Sequence, residues 1–152
     1  MDFIFFLLKN SPFLSGEAWD MPHSLWYNDS SGFILGIILT LIISLATCII
    51  YYHVFSRIFR NIPLTRLNWL LFLIINAAAV FFITFFVAKS GITDYAMANG
   101  YIDDAPSILG TLEKGTYDMW MFATQNALYS VIAYFILSFI CRIKSRGFNI
   151  PF

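Results

Sequence analysis

Charge is what this sequence has least of. Nine basic and nine acidic residues in a chain of 152 make 12% charged against 59% hydrophobic, with a mean hydropathy of +0.73. Soluble domains carry about 25% charged residues, so an ordinary water-exposed domain is excluded and a membrane protein is implied. Cysteine is nearly as scarce. Cys48 and Cys141 form no CxxC pair, which excludes a disulfide framework, and both are read as small packing residues at a shared depth on a reducing side of the membrane. Histidine is confined to His23 and His53, which fall on opposite sides of the first apolar segment and cannot share a metal. Neither a zinc site nor a catalytic Cys–His pair is expected, and no cofactor. Internal repeats and low-complexity tracts are also absent, so the chain reads as a single membrane domain, 1–152.

Long apolar runs are what the sequence does have. Residues 30–56, 67–88 and 119–141 contain no Asp, Glu, Lys or Arg. Each supplies the roughly 20 residues a helix needs to cross a ~30 Å hydrocarbon core. Helices are required because backbone amides in lipid must be satisfied within the segment. The expected fold is an all-α integral membrane protein with transmembrane helices over 32–55, 67–88 and 119–141. A fourth apolar patch, FIFFLL at 3–8, is too short to span. Its acidic n-region, Met1-Asp2, and short core do not suit a cleaved signal peptide, so it is expected to stay on the mature protein.

The distribution of charge gives an orientation. Arg57, Arg60 and Arg66 lie in the 56–66 connection, and Arg142, Lys144 and Arg146 in the 142–152 tail, with no acid beside them. All nine acids fall in the 1–31 arm or the 89–118 connection. The positive-inside rule then predicts N-out and C-in, with the basic segments cytoplasmic. Aromatic belts fit this: Trp26, Tyr27, Tyr117 and Trp120 at the outer edge, Tyr51, Tyr52 and Trp69 at the inner one.

The arm, with Pro12, Gly16, Pro22, Trp19 and Trp26, reads as an irregular packed cap on the outer surface. Pro63 and Thr65 suggest a tight turn into the second helix, making the first two an antiparallel hairpin. In the outer connection, Asp104 as N-cap, Pro106 in the first turn and Gly115 as C-cap predict a short surface helix over about 105–113. Thr116 would then cap the third span.

With no carboxylate inside the spans, a proton-coupled pump is disfavoured. The acids Asp94, Asp103, Asp104 and Glu113 match no EF-hand spacing and read as solvated loop residues. Asn28-Asp29-Ser30 fits an acceptor sequon, but its closeness to the bilayer argues against modification. The informative residues are polar but neutral. Asn76, Gln125, Asn126 and Ser130 lie within the spans and have to face protein or water, because an unsatisfied amide in lipid costs a few kcal/mol. They are read first as glue between helices.

Small residues mark where that glue acts. Gly32, Gly36, Thr40, Ser44 and Cys48 recur at every fourth position, beginning with a GxxxG match. Each i+4 step drifts by about 40° around the helix, so a partner following the ladder crosses with the right-handed sense of GxxxG contacts. A looser stripe on the third span includes Ala123, Asn126, Ala127, Ser130, Ala133 and Cys141.

The catalytic inventory is nearly empty, so no enzyme is expected. The sequence points to a non-catalytic subunit of a larger bacterial envelope assembly in the inner membrane, such as a secretion machine. Its partners would be the lipid bilayer, other membrane or envelope proteins, or further copies of itself, with no nucleic acid. Three things motivate this: the missing catalytic groups, an apparent surplus of small-residue surface, and aromatic-rich outer segments. The apolar tip RGFNIPF would offer a further docking element. The bacterial assignment rests on small size, the lack of a cleavable leader and N-out topology. The alternative is a homo-oligomeric channel or carrier for ions or small solutes, with Asn76, Gln125, Asn126 and Ser130 lining a shared path.

Overall fold

The computed structural model describes residues 26–27, 31–55, 66–99 and 105–142; for 105–115, 117 and 142 it describes the backbone alone. The protein is all-helical over these residues. Helix α1 runs Gly32–Ile49 and widens at its end into a π-helical turn, Ile50–Phe55. Helix α2 spans Arg66–Ala98 and α3 spans Ala105–Arg142. Three segments, Gly32–Phe55, Arg66–Ala98 and Asp118–Cys141, are long and apolar enough to cross a membrane. Their outward surfaces carry exposed Ile, Leu and Phe, from Ile38 and Leu41 on α1 to Ile132 and Ile140 on α3, while the buried side includes Thr, Ser, Asn and Gln. That distribution suits contact with a lipid bilayer.

The helices pack as an up-down-up bundle in which every pair touches. Ser44 of α1 meets Asn76 of α2, and Tyr51 meets Phe72, so these two run antiparallel as expected. Trp120 lies tilted against Phe81 and Phe85, while Trp69 reaches Ser138, which makes α2 and α3 antiparallel too. One end of the bundle is closed by Trp26, Tyr27, Phe33, Ile92, Met119 and Phe122. The other is closed by Cys48, Tyr51, Tyr52 and Tyr134. Phe85 and Tyr95 pack against the first cluster, Trp69 and Phe72 against the second.

Helix α2 has 33 residues and α3 has 38, so at 1.5 Å per residue they are about 50 and 57 Å long. Both outrun a ~30 Å hydrocarbon core. The excess lies at the Trp26 end, in the last turns of α2 and the first turns of α3. There the structure corrects the reading of the 89–118 connection. Lys89–Ala98 is helical, and its inward face stays buried through Ile92 and Ala96. Pro106 does fall in the first turn of a helix, but no separate short helix ends at Gly115. The helix runs through Gly115, because a break there would strand backbone donors and acceptors at both new ends, whereas an interior glycine costs only about 1 kcal/mol.

The aromatic belts also need correcting. Trp120 is exposed as a belt residue should be, but Trp26, Tyr27, Tyr51 and Tyr52 are buried inside the bundle. Hydropathy placed them at the right ends of the helices and left their facing open. Ser31, at the N-cap of α1, has a left-handed φ of 62°. Its carbonyl accepts the first α1 hydrogen bond, from the Leu35 amide at 3.0 Å. The 1–25 arm, the turn expected at Pro63 and Thr65, the acids Asp103 and Asp104, and the RGFNIPF tip lie outside the described residues.

Two glycines make room for the Trp26 ring. A Cβ on Gly32 would approach it to 2.8 Å, and a Cβ on Gly91 would clash harder still with its indole edge. Gly91→Ala therefore sets a helix gain of up to about 1 kcal/mol against overpacking of about 1–3 kcal/mol, and the second wins. The substitution is expected to lower unfolding stability in detergent by about 1–2 kcal/mol and to shift tryptophan emission to the red. In a Trp26→Ala background the same substitution becomes neutral or stabilising. Equal effects in both backgrounds would show that Trp26 does not sit on Gly91.

Candidate helix-packing interface

All five ladder residues of α1, Gly32, Gly36, Thr40, Ser44 and Cys48, are buried within this one chain. Helix α2 buries a ladder with the same step: Asn76, Val80, Thr84, Ala88, Ile92 and Ala96. Helix α3 does likewise with Asp118, Phe122, Asn126, Ser130, Tyr134 and Ser138. Three stripes of period four therefore meet along the bundle axis. Small side chains on α1 let the backbones approach, and the larger groups of α3 fill the hollows they leave.

Three layers of contact follow one another along that axis. In the first, the Phe122 ring of α3 fills the space above Gly36, where a Cβ would come within 2.5 Å of the ring. The Thr40 hydroxyl shares its proton between the Gly36 carbonyl at 2.8 Å and Asn126 Oδ1 at 3.2 Å. The Asn126 amide in turn donates to the Phe122 carbonyl at 2.9 Å. In the second layer, Asn76 Nδ2 donates to Ser44 Oγ on α1 and to the Ser130 carbonyl on α3, both at 3.2 Å. Its Oδ1 is buried with no hydrogen-bond partner among the described residues. In the third layer, Trp69 Nε1 donates to Ser138 Oγ at 3.1 Å, and Ser138 donates to the Tyr134 carbonyl at 2.7 Å. Cys48 and Cys141 join this layer.

Most of these polar groups also bond along their own helix. Thr40, Thr84, Asn126 and Ser138 each reach the carbonyl four residues back, and Ser130 the carbonyl of Ala127 at 2.7 Å. Asn76 is different: both of its bonds cross to another helix.

Among the residues singled out from sequence, Gly36, Thr40 and Asn126 are brought together, as are Ser44, Asn76 and Ser130. Gln125 is buried and donates to the Tyr129 hydroxyl of its own helix at 2.8 Å. Ala123 is fully buried, while Ala127 is half-buried. Of the basic residues, Arg66 is exposed at the start of α2. Arg142 ends α3 with its side chain undescribed, and Arg57, Arg60, Lys144 and Arg146 lie outside the described residues.

Several participants escaped the sequence reading. The α2 ladder was legible only as spacing, because Val80, Ala88 and Ile92 look like any lipid-facing residue. Asp118 was counted among outer-loop acids, yet it is fully buried at the first residue of the third span, near Tyr27. Burial raises the Tyr27 phenol well above its ordinary pKa of 10.0, and the nearby Asp118 charge adds to the rise. Among the described residues, no three His, Cys, Asp or Glu side chains are grouped as a metal site would need. No family model, curated protein or solved structure matches this chain.

Two outcomes test this interface. Gly36→Leu is expected to destabilise the single chain itself, by about 2–3 kcal/mol as overpacking does. Loss of helix–helix contacts in a monomer preparation would show it. An unchanged monomer would mean the ladder is not taken up internally. The second concerns alkaline pH. A raised folded-state pKa means Tyr27 holds its proton more tightly folded than unfolded. Its contribution is therefore intact below the ordinary value and lost as pH rises through the elevated one. Tyr27→Phe should flatten the alkaline fall in stability and remove one late-titrating tyrosinate from the absorbance titration.

Proposed function

We propose that this protein is a non-catalytic membrane subunit of a larger bacterial envelope assembly, working by helix packing and docking. The observation that carries this reading is where the intramembrane polar groups go. Asn76, Asn126, Ser130, Thr40 and Ser44 hydrogen-bond with one another inside a single three-helix bundle, and the perimeter left over is apolar. A bundle that uses its own polar groups has none of them left to line a path shared between copies, so the channel reading is the weaker one.

One earlier motive drops out. The α1 ladder is occupied by α2, α3 and the Trp26 ring, so it is not surplus surface for another protein. Docking is then left to the parts that outrun the membrane, above all the Trp26 end, where α2 and α3 project. Under the positive-inside rule that end faces away from the cytoplasm, since Arg66 and Arg142 mark the other. In this reading the inner membrane holds the bundle, and the projecting hairpin meets envelope partners.

The test is recovery in mild detergent after cross-linking in intact cells. A defined partner should co-purify, and removing the helical segment 105–113 should release it while the bundle remains folded. A monodisperse, solitary monomer under those conditions would overturn the proposal. Ion or solute flux from a well-folded oligomer in liposomes would replace it with the channel reading.

A further inference from the structure

The Tyr51 end of the bundle holds both cysteines of the chain. Cys48 is the last rung of the α1 ladder and is fully buried; Cys141 lies on α3 and is half-buried. Ser138 and Tyr134, both fully buried, lie three and seven residues before Cys141. That spacing puts Cys141 on the inward side of α3, against the cluster of Cys48, Tyr51, Tyr52 and Tyr134. Cys141 packs against the buried cluster to which Cys48 belongs, close enough for the two thiols to interact. Both are free. Two thiols far apart in sequence are thus brought into one cluster between α1 and α3.

We infer that Cys48 and Cys141 form an oxidisable dithiol, and that its disulfide ties α1 to α3 at this end of the bundle. The asymmetry of the pair sets the order of events. Cys141 is the sulfur a reagent can reach, and Cys48, behind it, is the resolving one. The surroundings select the oxidant. Tyr, Trp and Phe rings line the site within two membrane spans, so the reagent must be uncharged and lipid-permeant, with the two-electron chemistry of a quinone or an azodicarboxamide. With the latter, the Cys141 thiol adds across the N=N bond, and its proton passes to the second nitrogen. The Cys48 sulfur then attacks the Cys141 sulfur, the S–N bond breaks as the S–S bond forms, and the second proton leaves with the hydrazine. Two thiols have lost two protons and two electrons, and the reagent has gained them. A quinone reduced to its hydroquinone closes the same balance.

The experiment uses the full chain in lipid nanodiscs, treated with diamide, then denatured and reacted with a maleimide mass tag. The folded wild type should lose both tags together, remain a monomer on a non-reducing gel, and regain both tags after reduction. Oxidation should proceed at least tenfold faster in the folded chain than in the denatured one. Cys48→Ala and Cys141→Ala should each keep the remaining tag or form only slow intermolecular dimers. The wild-type readout needs no variant, so a variant that folds poorly does not blunt it. Two tags retained by the folded wild type, or a disulfide formed only between two chains through Cys141, would overturn the inference.

Discussion

A single amide, Asn76 Nδ2, holds all three helices at one point, bonding Ser44 on α1 and the Ser130 carbonyl on α3. In lipid there is no hydrophobic drive to bring helices together, so such bonds and close van der Waals contact must do it. Each interhelical bond contributes only about 0.6 kcal/mol on average, so the amide does more to set register than to supply energy. Once Asn76 is opposite Ser44 and Ser130, the period-four ladders of the three helices fall into step. Gly36 then meets Phe122 toward one end, and Cys48 meets the Tyr134–Ser138 region toward the other.

The energy comes from what the small residues permit. Glycine, serine and cysteine on α1 let backbones approach, and each added atom pair at contact distance contributes about 0.1–0.2 kcal/mol. Summed over a bundle this outweighs the few hydrogen bonds. The two ends are then filled by rings instead of left open. Trp26 and Tyr27 close one, with Trp26 lying over Gly32 and Gly91; Tyr51, Tyr52 and Tyr134 close the other.

The number and placement of the spans were legible because long apolar runs have no alternative in lipid, and the α1 ladder was legible because its residues differ so much from their neighbours. Facing was harder to read. A tyrosine at the end of a span has the same hydropathy whether it meets headgroups or another helix, so Tyr27, Tyr51 and Tyr52 were placed in belts. Glycine is ambiguous in the same way. Gly115 looked like a helix stop and lies within α3, while Gly91 drew no notice and proves to be the floor beneath Trp26. Asp118 was misjudged because charge alone suggested water, and only the packed neighbours show it enclosed.

The bonds that Thr40, Thr84, Asn126, Ser130 and Ser138 make to carbonyls of their own helices bear on how the chain enters a bilayer. A helix inserted alone would already have partners for these side chains, sparing much of the several kcal/mol that a bare polar group costs in hydrocarbon. Asn76 has no such shelter: its hydrogen-bond partners exist only after α1 and α3 have arrived. The first and third helices can therefore wait in the membrane with several of their polar side chains already paired, while the amide of the second is satisfied only in company.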